Sequence, residues 1–257
     1  FYKNVMMVLS IYWFNVYSGW SGTKLSLEVG YQMYNALFTA FPIVWISLVD
    51  KDVVDDLSRR IPQLYHLGIR RAYFGGWPTL RWILEAVYES LFITFGTVWG
   101  LEYLAPNGES PGLYMVGATT FTLAVIVPNL KLLLWSWQTS RWQALFILLE
   151  LVLWYVCCVI SSAIGTSSAT PSFVRSMVIG WFGLWENIQA TGAFWLLLVL
   201  LTTATLLPQL FFIAAERAWR PELRDLAMEA AYYKQPMEGI EDYVRTRSAT
   251  RRTRATR

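Results

Sequence analysis

Histidine is almost missing from this 257-residue chain. His66 stands alone, which excludes histidine-based triads and multi-histidine metal sites. It reads as a polar loop residue. Cysteine is nearly as scarce: the adjacent pair Cys157 and Cys158 lies inside an apolar run. Neighbouring cysteines rarely form a structural disulfide, and no Cys/His spacing suggests zinc. Charge is low as well, at 15% Asp, Glu, Lys and Arg, below the usual soluble range.

What the chain has instead is apolar surface. Hydrophobic residues make up 55% and aromatics 16%. They fall in runs of about 20, the length a bilayer-spanning helix needs, so a soluble domain with a very apolar core is excluded. The fold class expected is all-α: a polytopic membrane helix bundle of six transmembrane helices, at about 4–20, 29–49, 82–104, 113–135, 143–164 and 194–214. Residues 1–215 then form the transmembrane domain, and 216–257 a cytosolic basic tail that reads as disordered toward its end. The chain opens on Phe1 within a helical pattern, with no initiating Met and no signal peptide. It therefore reads as a piece of a longer protein with cytosolic domains upstream.

Connections are read from turn formers and charge. A polar loop over 50–80 holds Asp50, Asp52, Asp55, Asp56, Pro62, Gly68, Gly75, Gly76 and Pro78. A second, over 105–111, is dense in turn residues, and a Gly/Ser/Thr-rich stretch leads through Ala190. Lys and Arg set the orientation. Lys51, Arg59, Arg60, Arg70, Arg71 and Arg81 cluster after span two; Arg141 follows span four, and Arg217, Arg220, Arg224 and many more follow span six. The alternate connections hold only Lys24 and Arg175, which puts both chain ends in the cytoplasm. The terminal basic run either obeys this rule as a solvated tail or touches anionic inner-leaflet lipid, at about 1 kcal/mol per basic residue.

Polar groups inside apolar spans are costly and so mark functional candidates. Here they are Lys3, Asn4, Asn15, Asn35, Glu85, Glu89, Asn129, Lys131 and Glu150. Glu85 and Glu89 lie one helical turn apart on one face. Glu85 reads as fixing a helix end, and Lys131 as snorkelling to the cytoplasmic interface. For Glu89 and Glu150 the expectation is interhelical hydrogen bonding or a protonated state. Pro42, Pro128 and Pro208 interrupt spans two, four and six, and each frees a carbonyl. Pro42 is the most suggestive, because Asn35 lies two turns before it and broken helices often border transport sites. Trp20, Tyr103, Tyr114, Trp135 and Trp142 read as interfacial belts.

Three consecutive stretches carry a family resemblance: Phe1-Tyr-Lys-Asn4, Trp13-Phe-Asn-Val-Tyr-Ser-Gly-Trp-Ser-Gly22, and Tyr34-Asn-Ala-Leu-Phe-Thr-Ala-Phe-Pro42. With Leu48-Val-Asp-Lys-Asp-Val53, Pro62-Gln-Leu-Tyr65 and Gly68, then Phe194-Trp195 and Arg217 through Glu222, the chain resembles the P4-type ATPases, the phospholipid flippases. The resemblance runs from Phe1 to about Glu229 and implies that the six spans are the fifth to tenth of a ten-span flippase. It implies ATP-driven movement of a phospholipid from the outer to the cytosolic leaflet. Lys3 and Asn4 match the fifth-span pair implicated in handling the headgroup, and Asn35 the sixth-span asparagine near the same route. Arg217 stands where some members read an inner-leaflet phosphoinositide, but the residue-level reading prefers a positive-inside anchor there.

The family's phosphorylated DKTG motif does not occur here, so this piece alone is expected to hydrolyse nothing. ATP and Mg2+ are expected in the missing cytosolic domains, with no cofactor, catalytic residue or metal site in this chain. Implied partners are a membrane phospholipid, the remaining N-terminal part of the same ATPase, and the two-span glycosylated accessory subunit that flippases commonly carry; no nucleic acid is implied. The implied location is a eukaryotic plasma membrane or endomembrane. A second reading stays open, a flippase-like regulatory or scaffold module without pumping activity, for example one fused to a nucleotide cyclase. A third, an unrelated channel or secondary transporter, would show internal repeats, and none is seen.

Overall fold

The computed structural model describes residues 1–53, 55–69, 75–102, 112–137, 140–164, 171–172, 178, 180–219 and 223–233. Outside these fall the turn-dense stretch over 105–111, Tyr103, Arg70, Arg71, Arg175, Arg220 and the basic tail from 234 onward. The described residues are helical, without a strand among them. By their internal contacts they form two units, residues 1–50 with 80–208, and residues 51–79 with 209–257.

The elements are α1 (Tyr2–Tyr17), α2 (Glu28–Met33), a π-helical turn (Tyr34–Phe38), α3 (Phe41–Val49), α4 (Asp55–Arg60), a 3-10 turn (Pro62–Tyr65), α5 (His66–Ile69) and α6 (Gly76–Glu102). There follow α7 (Leu113–Trp135), α8 (Arg141–Ile164), α9 (Leu184–Ala190), α10 (Gly192–Trp219) and α11 (Leu223–Tyr232). Each of the six apolar stretches holds helix. Four of them, over Glu28–Val49, Leu113–Trp135, Arg141–Ile164 and Gly192–Trp219, are long and apolar enough to cross a membrane. The other two are α1, with 16 residues, and α6, whose 27 residues include Arg81, Glu85 and Glu89.

Local differences from the sequence reading have local causes. Residues 50–80 are not a bare loop but hold α4, the 3-10 turn and α5, each six residues or fewer. Elements this short show no apolar period. α6 starts at Gly76, because Pro78 sits in its first turn, where a missing N–H costs nothing. Likewise α9 occupies the end of the stretch read as a Gly/Ser/Thr loop. It follows Gly183, whose φ of 65° an L side chain rarely adopts, and buries Trp185 and Ile188.

Burial sorts the helices of the first unit. In α7 the most apolar 18-residue stretch is 72% buried, against 22% and 28% in the α2–α3 and α8 spans. So α7 runs inside the bundle and its neighbours turn apolar faces outward, as lipid permits. Small residues set the close approaches. A Cβ on Gly117 would meet the Leu25 carbonyl oxygen at 1.5 Å, so the backbone before α2 lies directly on α7. Added Cβ atoms on Gly96 and Gly100 of α6 would meet Leu201 and Leu197 of α10 at 2.4 and 2.6 Å. This is a small-residue seam of the kind that packs helices in lipid.

Hydroxyls tie the same helices across. Thr97 and Thr120 share a 2.7 Å hydrogen bond between α6 and α7. The Trp154 indole donates to Thr122 at 3.0 Å, joining α8 to α7, and the Trp13 indole donates to Ser90 at 3.0 Å, joining α1 to α6.

Candidate functional site

Three prolines organise the polar interior. A helical proline offers no N–H to the carbonyl four residues earlier, and in lipid no water replaces it. Pro128 orphans Ala124 and Pro208 orphans Ala204, while Pro42 stands in the first turn of α3, where the bend before it leaves the Phe38 carbonyl without a helical donor. In each case a side chain from another helix supplies the donor. The Asn129 amide reaches the Phe38 oxygen at 2.8 Å, the Tyr34 hydroxyl reaches Ala124 at 3.1 Å, and the Tyr88 hydroxyl reaches Ala204 at 3.0 Å.

The Pro42 break is the richest of these. Helix α2 widens into the π turn, bends at Thr39 and Ala40, and resumes as α3. The bend leaves further backbone groups unpaired. The Lys3 ammonium donates to the Thr39 carbonyl at 2.9 Å and to the Thr39 hydroxyl at 2.7 Å. That hydroxyl in turn donates to the Tyr34 carbonyl at 2.6 Å. On the other side, Oε1 of Glu150 accepts the Phe41 N–H at 2.7 Å. Lys3 from α1, Asn129 from α7 and Glu150 from α8 thus converge on four residues, 38–41.

Asn129 and Glu150 are fully buried and Lys3 is half-buried. An ammonium has three N–H donors, and among the described residues Thr39 engages two of those on Lys3. Tyr34 lies beneath, fully buried, with its hydroxyl also 3.3 Å from the Lys3 carbonyl and its ring 5.8 Å from the ammonium. Tyr34, Thr39 and Tyr88 were not legible as site or capping residues. Their signal is relational, a proline on one helix and a donor on another.

Asn4 and Asn35, the other two candidates for the lipid route, are exposed. No hydrogen bond joins either to Lys3 among the described residues. Arg217 is exposed in the last turn of α10, in the second unit.

A second polar cluster corrects the expectation for Lys131. It does not snorkel: 2% of its surface is exposed, because two carboxylates and two aromatic faces enclose it. Its ammonium lies 2.7 Å from Glu89 and 2.9 Å from Glu85, with the Tyr2 ring centroid at 3.9 Å and that of Trp82 at 5.4 Å. Glu85 also meets Arg81 at 3.0 Å. Trp135, read as an interfacial belt residue, stacks on Trp82 at 4.3 Å beside this cluster. Glu89, by contrast, makes the interhelical contact that its depth suggested. The charges balance within the cluster, two against two.

Among the described residues no three His, Cys, Asp or Glu side chains gather to hold a metal ion.

A family described as "Phospholipid-translocating P-type ATPase C-terminal" matches residues 1–222. The chain is 26% identical over 255 residues to probable phospholipid-transporting ATPase 5 of Arabidopsis thaliana, covering 98% of this chain and 20% of that protein. It is 29% identical over 252 residues to phospholipid-transporting ATPase DNF1 of Saccharomyces cerevisiae, covering 94% and 14%. To phospholipid-transporting ATPase DRS2 of the same yeast it is 25% identical over 236 residues, covering 91% and 17%. The chain therefore spans a fifth or less of the length of these relatives. A helical membrane bundle broken at Pro42, matched along residues 1–222, belongs to the phospholipid-translocating P-type ATPases and is their C-terminal membrane region.

Proposed function

We propose that this chain is the membrane portion of an ATP-driven phospholipid flippase that moves lipid from the outer to the cytosolic leaflet. The observation that carries the reading is Lys3, a half-buried ammonium at a helix break with one N–H donor uncommitted among the described residues. In a site of low dielectric such a donor holds a phosphate or carboxylate more strongly than in water. The exposed amides of Asn4 and Asn35 line the same route and donate to ester oxygens. Arg217, at the foot of α10, contacts an inner-leaflet headgroup. Support comes from the family match over residues 1–222 and from relatives named as phospholipid-transporting ATPases.

ATP and Mg2+ act on the remaining N-terminal part of the same ATPase. A two-span glycosylated accessory subunit is the further partner, and the setting is a eukaryotic plasma membrane or endomembrane with a cytosolic C-terminus. The test is labelled-phospholipid uptake by the full-length protein. Lys3→Ala is expected to lose most transport together with lipid-stimulated ATPase. Unchanged transport would remove Lys3 from the route.

A further inference from the structure

The break at Pro42 holds one acidic side chain that the transport reading leaves unused. Glu150 is fully buried on α8 and gives Oε1 to the Phe41 N–H at 2.7 Å, with the Ala40 N–H also within its reach. The Asn129 side-chain amide also lies within hydrogen-bond reach of this carboxyl, and its second oxygen, Oε2, is sealed from solvent. Capping two backbone N–H groups needs only an acceptor, and an amide oxygen would serve without burying a carboxylate. An acid at this position, where an amide would serve, therefore calls for an account. Lys3 holds the carbonyl of Thr39, one residue before Ala40, so the segment 39–41 is gripped by an ammonium and a carboxylate. The two charges lie within about 10 Å of each other, by the span of two peptide units and two hydrogen bonds. They form no direct ion pair among the described residues.

We propose that Glu150 is a positioning residue that sets the net charge of the headgroup the site accepts, favouring zwitterionic over net-anionic phospholipids. The inference rests on the transport reading. A headgroup phosphate takes the remaining N–H of Lys3 whatever follows it. Lys3 and Glu150 together sum to zero, which matches a zwitterion, whereas one further negative charge on the headgroup faces Glu150 unbalanced. At an effective dielectric constant near 20, one unit charge at about 10 Å changes affinity on the order of tenfold, about 1.4 kcal/mol.

The experiment uses the full-length ATPase in mixed micelles. It measures the lipid concentration for half-maximal ATPase stimulation by phosphatidylserine and by phosphatidylcholine, taking a limit where one does not saturate. Glu150→Gln keeps an acceptor for Phe41 and removes the charge. It is expected to shift the ratio of the two concentrations about tenfold toward phosphatidylserine, while Glu150→Asp stays within about threefold of the parent ratio. A parallel change for both lipids, no change, or a shift toward phosphatidylcholine would overturn the proposal and leave Glu150 a structural cap. Should the Gln variant not accumulate, Glu150→Asp against Glu150→Asn poses the same question at shorter reach. Stimulation of the parent by neither lipid would instead strike the transport reading.

Discussion

Replacing Lys131 with methionine removes the one ammonium that Glu89 touches and leaves a carboxylate that is 1% exposed facing apolar neighbours. Breaking a buried pair by deleting one partner typically costs about 3–5 kcal/mol, because the surviving charge has lost both water and counter-ion. The lost contact with the Tyr2 ring at 3.9 Å adds on the order of 1 kcal/mol. Glu85 is spared, since Arg81 remains 3.0 Å from it. A loss of about 4 kcal/mol corresponds to a fall of roughly 8–16 °C in apparent Tm for a unit of this size. The assay is thermal unfolding of the purified protein in detergent, run at one fixed scan rate because such unfolding is commonly irreversible. The decisive comparison is Glu89→Leu combined with Lys131→Met, which removes both charges and fills the space with apolar atoms. That double variant is expected to recover at least half the loss. If it unfolds no later than Lys131→Met alone, the cost is one of packing and not of a stranded charge, and the reasoning fails.

Other outcomes follow from the same geometry. Tyr88→Phe should cost about 1–3 kcal/mol by leaving the Ala204 carbonyl unpaired; in a Pro208→Ala background, where the backbone can supply an N–H, the same change should cost less than half as much in thermal unfolding. Gly117→Ala should lower apparent Tm more than Gly96→Ala, since its Cβ would strike the Leu25 backbone whereas that of Gly96 meets only the end of the Leu201 side chain. Neutralising Lys24 or Lys51, each in an exposed pair four residues from its acid, should change stability by less than about 1 kcal/mol, and 0.5 M salt should erase that difference.

Much of the bundle was legible because lipid makes a strong local demand. Lipid offers no water to a span's backbone groups, so most are paired within their own helix, and apolar runs of about 20 residues announce helices one by one. Pro42 marked its span as broken, and Lys3, Asn129 and Glu150 stood out as costly groups in apolar stretches. Shorter pieces such as α5 and α9 stayed hidden, since one or two turns give no period to read. The interfacial reading of Lys131 failed because depth along one helix does not reveal what faces it from the next.

What the sequence alone determined is thus the helical class, the places where the chain breaks, and which polar groups lie in lipid at a cost. Each of these depends on residues adjacent along one chain segment. Only the tertiary structure decided the pairings: Asn129 with the Phe38 carbonyl, Tyr88 with that of Ala204, Lys3 and Glu150 on either side of Thr39–Phe41, and Lys131 with Glu85 and Glu89. A proline dictates which carbonyl is orphaned, four residues back on its own helix. Which donor reaches that carbonyl depends on how separate helices pack, and that is a property of the assembled bundle.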